Sequence, residues 1–402
     1  MASDRSSDRP YDVVLLGATG FTGGLTAEYL AEHAPAGLRW AIAGRNADKL
    51  ARVRERLVRI DGGLADLPLV TADSSDPASL ADLARSARVV VTTVGPYLTH
   101  GEPLVAACAE AGTDYLDLTG EPEFVDRMFT AHHETAQRTG ARIVHACGFD
   151  SIPHDLGAYF TVQQLAPVEG PLTLRGVVRG GGTVSGGTFH SAMTQFSRAR
   201  QMRSASMERR ALEKQLGQRP EGRSSRAVAG KPGKDPVTGY WLLPLPTIDP
   251  FIVARSGDAL AAYGPKFRYS HFAGTKTLRY AAGGAAGVTA LTVAAQVGPV
   301  RNALLGRIKQ GEGPDEARRA KSWFTVDLVG ETGGRTVHTR VSGGDPGYGE
   351  TAKMLAESAM CLALDDNPTT SGSVTTAAAM GEHLLARLQS AGIRFEVVPA
   401  GS

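Results

Sequence analysis

Three evenly spaced glycines near the start of the chain form its clearest chemical motif. The residues GATGFTG at 17–23 follow the apolar run VVLL, which ends at Leu16, and they precede a helical stretch. Glycine permits a tight turn and lets backbone N–H groups approach a pyrophosphate, whose charge a helix N-terminus stabilises. The spacing is GxxGxxG, which is less common than GxGxxG, so a glycine-rich turn that binds nothing is the alternative. The residues predicted to hold a dinucleotide are Gly17, Thr19, Gly20, Phe21, Thr22 and Gly23.

The residues after the second predicted strand decide which dinucleotide is bound. An NAD-binding turn usually places an acidic residue there to accept hydrogen bonds from the ribose 2′-hydroxyl. Here the chain reads AGRN at 43–46, and the guanidinium of Arg45 would pair with a 2′-phosphate that a carboxylate would repel. Lys49 would add positive charge or remain solvated, and Asp73 would contact the adenine or cap a turn. We therefore expect NADP(H) as the cofactor.

A later strand end is expected to face the nicotinamide half of the cofactor. The apolar run at 87–93 leads into VGPY at 94–97, and the carboxyl ends of parallel strands line the ligand crevice of such sheets. Gly95 and Pro96 would shape the backbone beside the cofactor. Tyr97 would either donate a proton to a substrate or pack beside the ribose.

The elements that must position these residues alternate between short apolar runs and longer helical stretches. Six such runs lie between Tyr11 and His145, and the one at 87–93 is almost continuously apolar, as in a strand covered on both faces. This alternation is typical of βαβ units. It predicts the α/β class, with a Rossmann-type doubly wound parallel sheet and a second α+β domain.

Changes in texture divide the chain into four parts. Glycine-rich turns and β-like runs begin after Cys147, and helical periodicity returns near the C-terminus. Between Arg198 and Tyr240 eleven Lys and Arg stand against four Asp and Glu, which predicts a mobile surface insertion that would remain solvated or dock an acidic carrier protein or anionic lipid. The predicted parts are a disordered tail at 1–10, an NADP-binding Rossmann domain at 11–150, an α+β substrate and dimerisation domain at 151–345 with the insertion at 198–240, and C-terminal helices at 346–402 that pack back on the Rossmann domain.

Composition narrows the choice of partners and compartment. A formal net charge of +2 in 402 residues gives no overall attraction to nucleic acid. Three scattered cysteines provide neither a disulfide framework nor a CxxC metal site, so we expect no metal and a reducing cytoplasm. The polar segment 1–10 lacks the apolar stretch of a signal peptide. The uncharged stretch from Tyr280 to Val300 would contact the inner face of the plasma membrane, line an acyl channel or pack at the interface of a homodimer.

Five longer motifs carry a resemblance to a known family. They are GATGFTGG at 17–24, AGR at 43–45, VGPYLTHGEPLVAACAEAGTDYLDLTGE at 94–121, CGFDSIPHDLG at 147–157 and SGGT at 185–188. Together they resemble the saccharopine dehydrogenase-like oxidoreductases, and within them the trans-acting enoyl reductases of bacterial lipid and polyketide synthesis. The similarity covers most of the chain and is densest over 11–157. It implies NADPH-dependent reduction of a carbon–carbon double bond in a small-molecule or carrier-bound acyl intermediate, in partnership with a polyketide synthase or acyl carrier protein.

Such a reduction requires a hydride for the β-carbon, polarisation of the carbonyl group and a proton for the α-carbon. Polar residues at or just after predicted strand ends are the candidates for these roles: Tyr97, Asp117, Thr119, Glu121, Asp150, Ser151 and His154. Asp117 and Glu121 would alternatively cap the helix that follows Pro122. Histidine titrates near neutral pH, which suits His154 as a proton donor. It replaces the small polar residue that the resemblance leads us to expect there, so a structural role is an equal alternative.

Three other functions are alternatives for the same sequence. An amino-acid dehydrogenase that acts on an imine would need cations for the substrate carboxylate, and Arg175 and Arg179 are the candidates. A short-chain alcohol dehydrogenase would need a lysine four residues after a tyrosine, and none of the ten tyrosines has one. A non-catalytic NADP-binding protein at a lipid surface would keep the fold without turnover. The first and the third alternatives stay open at this point.

Overall fold

Two β-sheets organise the chain in the computed structural model, which describes residues 9–181, 186–218, 222–306 and 313–399. The N-terminal elements are β1 (Tyr11–Leu16), α1 (Phe21–His33), β2 (Trp40–Gly44), α2 (Ala47–Val58), β3 (Leu69–Thr71), α3 (Pro77–Ser86), β4 (Ala87–Thr92), α4 (Tyr97–His100), α5 (Glu102–Ala111), β5 (Asp114–Asp117), α6 (Pro122–Thr139) and β6 (Arg142–Val144). The central elements are α7 (Ile152–Leu165), β7 (Pro171–Gly181), α8 (Gly186–Ser197), α9 (Ala199–Gln215), β8 (Ser224–Ala227), β9 (Gly233–Lys234), β10 (Trp241–Pro244), α10 (Asp249–Ala259), β11 (Lys266–Thr275), α11 (Leu278–Gln296), α12 (Gly298–Leu305), α13 (Glu316–Arg319), β12 (Trp323–Thr332) and β13 (Arg335–Gly343). The C-terminal elements are α14 (Gly349–Leu364), β14 (Gly372–Val374), α15 (Thr376–Ala379), α16 (Gly381–Ser390) and β15 (Arg394–Val397).

The first sheet consists of seven parallel strands in the order β14-β6-β5-β4-β1-β2-β3. Along β1, Val13 and Leu15 belong to one core cluster, whereas Val14 and Leu16 belong to another on the opposite face. Because both faces are covered, the strand has no solvent-facing side and its sequence is continuously apolar from Val13 to Leu16. The order of the six N-terminal strands confirms the predicted doubly wound sheet, and it places the ligand crevice where β1 and β4 end.

The C-terminal segment completes this first sheet. Strand β14 pairs in parallel with β6, and α14 packs along α1. The Tyr29 hydroxyl on α1 donates a hydrogen bond of 2.7 Å to Glu357 Oε1 on α14. The seventh strand was not predicted from the sequence. The C-terminal helices predicted at 346–402 are α14, α15 and α16, and the last two are divided near Gly381, whose φ is +38°.

The second sheet is mixed and forms the α+β part of the chain. Its strands run in the order β15-β13-β12-β7-β11-β10-β9, with β8 beside β11. Strands β7 and β11 are parallel, whereas β12 is antiparallel to β7. Buried residues from both sheets, such as Leu15 of β1 and Leu328 of β12, belong to one continuous core cluster. The two sheets therefore share a core, as the predicted combination of fold classes requires.

Within the stretch at 198–240, for which a mobile insertion is predicted, the described residues include α9, β8 and β9. Helix α9 packs along α6, and Arg209, which is only 7% exposed, forms ion pairs with Asp126 and Glu213. Arg223 donates to backbone carbonyl oxygens around α10. Several charges that the composition assigned to a solvated loop are therefore bonded within the fold.

The predicted disordered tail also ends earlier than residue 10. Arg9 Nη2 donates a hydrogen bond of 2.6 Å to the carbonyl oxygen of Ala111, and Nη1 contacts the Ala87 carbonyl oxygen and Thr113. These bonds tie the chain to the amino end of β4 before β1 begins. Residues 1–8 lie outside the described part of the chain.

Candidate active site

A left-handed turn follows β1 at the predicted cofactor motif. Gly17 has a φ of +95°, and its N–H donates a hydrogen bond of 2.9 Å to the carbonyl oxygen of Ala43 on β2. The Gly20 N–H donates a 2.9 Å bond back to the Gly17 carbonyl oxygen, and α1 begins at Phe21. Positive φ at Gly17 is the conformation that glycine adopts without the steric cost other residues bear.

The space around this turn leaves no room for side chains at two of the three glycines. A Cβ atom at Gly17 would lie 2.7 Å from Thr93 Oγ1, and one at Gly23 would lie 2.2 Å from the Gly17 carbonyl oxygen. At the described N-terminus of α1, no side chain caps the helix and no acidic residue occupies the first turn. The first N–H groups of α1 are thus available to an anion in a turn shaped by glycine, an arrangement that fits a pyrophosphate.

Arg45 is the exposed cation at the end of β2. Lys49, also exposed, lies in the first turn of α2, where its backbone N–H donates a 2.8 Å bond to the Asn46 side chain. Asp73 Oδ1 accepts bonds from both the backbone N–H and the hydroxyl of Ser75. These bonds, assisted by the charge of Arg45, lower the pKa of the Asp73 carboxyl group. Asp73 therefore organises its own turn, whereas Arg45 faces solvent at the edge where the 2′-phosphate is expected.

Tyr97 lies at the end of β4, beyond Gly95 and Pro96, but its hydroxyl is occupied by the backbone. The hydroxyl donates to the Thr92 carbonyl oxygen and accepts from the Leu118 N–H, each at 3.2 Å. Burial, reinforced by the charge of Asp117, raises the pKa of Tyr97 well above its ordinary value. These contacts favour the packing role for Tyr97 over the role of proton donor.

Asp117 is fully buried at the end of β5 and joins it to the end of β6. Its Oδ2 accepts from the Tyr115 hydroxyl at 3.0 Å and lies 2.7 Å from His145 Nδ1. Its Oδ1 accepts from the backbone N–H groups of Thr119 and Ala146. All these contacts hold backbone and rings in place, so Asp117 fixes the floor of the crevice.

Glu121 caps a different helix from the predicted one. Glu121 is the N-cap residue of α6 by position, but its side chain forms no capping hydrogen bond there. Glu121 Oε2 instead accepts a 2.8 Å bond from the Leu98 N–H, in the short helix α4. The expectation that Asp117 or Glu121 caps α6 was therefore wrong, because each carboxylate meets other donors first. Thr119 Oγ1 accepts from the Glu121 N–H.

His154 lies in the first turn of α7, where the chain leaves β6, and it is only 2% exposed. Its Nδ1 is 2.7 Å from Asp249 Oδ1, and Asp249 Oδ2 is 3.8 Å from His271 Nε2. Burial would raise the pKa of Asp249, but His154 outweighs it, so the pKa is lowered; burial lowers the pKa of His271 to about 4. These directions describe a charged Asp249 beside a neutral His271, with His154 Nδ1 at ion-pair distance from Asp249.

The same three residues form a donor set for a divalent metal, since two imidazoles and a carboxylate are common ligands. The contact of 2.7 Å between His154 Nδ1 and Asp249 Oδ1 is nevertheless the distance of an ion pair. Both ring nitrogens of His154 and Asp249 Oδ1 are still buried without a hydrogen-bond partner among the described residues, so this short contact alone does not satisfy them.

Asp150 and Ser151 occupy the turn between β6 and α7. Ser151 is fully buried as the N-cap residue of α7. Asp150 is partly exposed, and burial together with the charge of Asp249 raises its pKa to about 7, while His154 opposes the shift. Asp150 is thus a carboxyl group that exchanges a proton near neutral pH, beside the crevice. Of the motif at 185–188, Ser185 lies outside the described residues, and the rest begins α8.

Arg319, Asp249 and His271 are site residues that the sequence patterns did not identify. Arg319, on α13, lies over Phe21, and its Nε is buried without a hydrogen-bond partner in the described chain. A pair of arginines in a short helix carries no local signal, because only the fold brings it to the glycine-rich turn. Asp249 and His271 lie far along the chain from His154, so periodicity and spacing could not connect them.

Known proteins are similar to this chain in both sequence and fold. The family model for the saccharopine dehydrogenase NADP binding domain matches residues 13–144. A Mycobacterium tuberculosis H37Rv protein named among the trans-acting enoyl reductases is 39% identical over 99% of this chain and 100% of its own length. A trans-acting enoyl reductase of Mycobacterium bovis BCG is 38% identical over 96% of this chain and 97% of its own.

A solved structure supports the fold at greater distance. Saccharopine dehydrogenase (L-Glu forming) from Saccharomyces cerevisiae superimposes with a TM-score of 0.53 at 12% identity, covering 97% of this chain and all of that one. The predicted cofactor class and enzyme class are confirmed: the protein is an NADP(H)-dependent oxidoreductase. With relatives this similar over its full length, the chain belongs to the saccharopine dehydrogenase-like family and, within it, to the trans-acting enoyl reductases.

Proposed function

We propose that this protein uses NADPH to reduce the carbon–carbon double bond of an α,β-unsaturated acyl or polyketide thioester. The observation that carries the proposal is similarity along essentially the whole chain to proteins named trans-acting enoyl reductases. The substrate would be presented by an acyl carrier protein or synthase that lacks its own reductase, or from a membrane surface. NADPH, when bound, supplies the hydride for the β-carbon of the double bond.

The residues proposed to hold the cofactor lie along one edge of the first sheet. The backbone from Gly17 to Gly23 would receive the pyrophosphate, and Arg45 would pair with the 2′-phosphate. Gly95 and Pro96 would border the nicotinamide. Just before them, the Thr93 hydroxyl donates a hydrogen bond of 3.3 Å to the Gly17 carbonyl oxygen. The pyrophosphate assignment rests on a turn that has no room for a Cβ at Gly17 or Gly23. The 2′-phosphate assignment rests on a cation exposed at the expected edge, and the nicotinamide assignment rests on the position of Gly95 and Pro96 after β4.

Arg319, on α13, is proposed to cover the cofactor site where α1 begins. Its guanidinium carbon lies 5.8 Å from the centre of the Phe21 ring, within the range of a cation–π contact. The buried Nε has no acceptor in the described chain, and a buried donor without an acceptor loses free energy unless a ligand supplies one. The oxygens of a pyrophosphate at the start of α1 would supply it.

Asp150 is proposed as the group that protonates the α-carbon. Hydride addition to the β-carbon leaves an enolate, which takes a proton at the α-carbon to complete the reduction. A carboxyl group with a pKa of about 7 is both protonated and able to release its proton near neutral pH. The ion pair of His154 and Asp249 lies behind Asp150 and contributes opposing charges to its environment. His154 is then a positioning residue and not the donor.

The structure gives little support to the alternative of an amino-acid imine dehydrogenase. Arg175 is already paired with Asp235 and Glu331. Arg179 lies over the Tyr240 ring at 4.2 Å and donates a 2.6 Å bond to the hydroxyl of the same residue. Both cations considered for a substrate α-carboxylate are therefore engaged by the protein itself.

The proposal is tested by following NADPH oxidation by the purified protein against matched substrate panels. One panel contains trans-2-enoyl thioesters of increasing chain length, and the other contains imines formed from lysine and 2-oxo acids. We expect oxidation with the enoyl panel only, with kcat/KM rising with chain length. Oxidation only with the imines would favour the amino-acid dehydrogenase, and tight NADPH binding without turnover on either panel would favour the non-catalytic alternative.

A further inference from the structure

The helices α11 and α12 carry the most apolar exposed surface of the molecule. Eleven large apolar side chains are exposed in the described part of the chain, and five of them lie in or between these two helices. They are Leu278 (55% exposed), Tyr280 (73%), Val293 (61%), Val297 (47%) and Val300 (44%). Such a concentration marks an interaction surface, whereas apolar residues scattered singly do not.

Little of this surface is used by the fold. Only Ala281 and Ala295 are buried among the nineteen residues of α11, and none is buried in α12. Helix α11 is held mainly along α8, with Gln296 Nε2 donating to the Phe196 carbonyl oxygen. Packing against the core therefore accounts for only a narrow side of the helix, and the wide apolar side faces solvent.

The two helices meet at a sharp bend. They are bent by 113° at the break between Gln296 and Gly298, and no single helix in the described chain is long and apolar enough to cross a membrane. Residues 280–300 contain no charged side chain. A bent pair whose central stretch is uncharged suits insertion into one surface of a bilayer, with the helix axes near the headgroup boundary.

The charge around this surface selects between possible partners. From Lys266 to Gly311 the sequence contains no Asp or Glu, while Lys276, Arg279 and Arg301 flank the apolar stretch. Anionic lipid headgroups complement such a rim, because basic side chains near a membrane surface are attracted to negatively charged lipids. In a twofold interface between copies of this chain, each patch would meet its equivalent, so the same arginines would face like charges. The charge pattern favours a membrane over a second copy.

We propose that α11 and α12 form a lipid-binding surface that docks the enzyme on anionic membranes. The apolar side chains enter the boundary between headgroups and acyl chains, and the flanking Lys and Arg side chains contact lipid phosphates. This surface goes beyond the reduction proposed above and does not depend on it. It would bring the crevice near lipid-borne substrates without adding any contact at the reacting atoms.

Vesicle co-sedimentation of the full-length protein tests this proposal. One set of vesicles contains equal parts phosphatidylcholine and phosphatidylglycerol, and the other contains phosphatidylcholine alone. We expect binding to the mixed vesicles, weakened by added salt because screening acts on the charged rim. The double variant Tyr280→Asp/Val293→Asp should bind at least about tenfold more weakly, equivalent to about 1.4 kcal/mol. Val397→Asp, which changes an equally exposed apolar residue on β15, should bind like the unchanged protein.

Two further readouts make the result decisive. NADPH affinity and turnover of a short soluble thioester should be unchanged in the double variant, which shows that it is folded and separates this surface from the catalytic proposal. Absence of binding to either vesicle, or equal loss in Val397→Asp, would overturn the membrane proposal. So would sedimentation equilibrium showing a dimer that the double variant alone dissociates, because the surface would then be an interface between copies.

Discussion

Arg319 lies over the ring of Phe21, with its guanidinium carbon 5.8 Å from the ring centre. Phe21 opens α1 within the glycine-rich turn, and Tyr348 packs edge-on against it with ring centres 4.9 Å apart. The turn is therefore covered by one residue from α13, just before β12, and by one from the segment between β13 and α14. In the proposed cofactor site, this contact would couple cofactor binding to the position of α13.

Replacing Arg319 tests that coupling. We expect Arg319→Ala to raise the Kd for NADPH and for NADH alike by about tenfold, about 1.4 kcal/mol, because both cofactors carry the pyrophosphate. Arg318→Ala changes the neighbouring exposed arginine and should alter neither Kd by more than about twofold. Fluorescence titration of each variant measures both constants. A loss confined to NADPH would assign Arg319 to the 2′-phosphate instead.

Arg45 should distinguish the two cofactors. Arg45→Glu replaces the cation proposed to pair with the 2′-phosphate by a carboxylate, so we expect the Kd for NADPH to rise at least about tenfold while that for NADH changes much less. Lys49→Ala is the matched control, since Lys49 is a nearby exposed cation on α2. Equal weakening for both cofactors in Arg45→Glu would refute the assignment.

Asp150 should give the reaction its dependence on pH. A proton donor acts in its protonated form, so kcat should fall as pH rises through the pKa of about 7 set by burial and Asp249. We expect Asp150→Asn to lower kcat by about a hundredfold or more and to abolish this decline, with the Kd for NADPH unchanged. The measurement is a pH profile of kcat for both proteins. A variant that retains the original rate and profile would exclude Asp150 as the donor.

Arg209 should contribute to stability and not to carrier docking. Arg209→Ala would leave Asp126 buried without its cation, which we expect to lower the free energy of unfolding by about 3–5 kcal/mol. Arg210→Ala, at an exposed neighbouring position, should change it by less than about 0.5 kcal/mol. Urea unfolding compares the variants. The double variant Arg209→Leu/Asp126→Leu removes both charges. If it is no more stable than Arg209→Ala, the buried ion pair is not the cause of the loss of stability.

The sequence was sufficient for six strands of the first sheet and for the glycine-rich turn because their signals are local. Continuous apolar runs such as Val13 to Leu16 and a glycine string before a helix each report on residues within one turn or strand. Strand β14 was missed because three residues between polar loops show no periodicity. The division of α15 from α16 depends on the backbone conformation of one residue, Gly381, whose φ is positive.

Side chains that meet only after folding were the harder part of the site. Composition made Arg209 a surface charge, since nothing near it in the chain indicates that Asp126 lies beneath it. The roles of Tyr97 and Glu121 depend on the backbone groups to which their side chains hydrogen-bond, and those groups belong to other strands and helices. Residue type and strand-end position therefore selected the polar residues near the strand ends, but they could not choose a proton donor among them.

Deuterium transfer tests the central claim most directly. The protein would be incubated with a trans-2-enoyl thioester and NADPH deuterated at the transferable C4 position, and the saturated product would be examined by mass spectrometry and NMR. We expect one deuterium at the β-carbon, with the hydrogen at the α-carbon coming from solvent. Product without deuterium at the β-carbon, or deuterium found only in a reduced imine from the lysine-derived panel, would contradict the account.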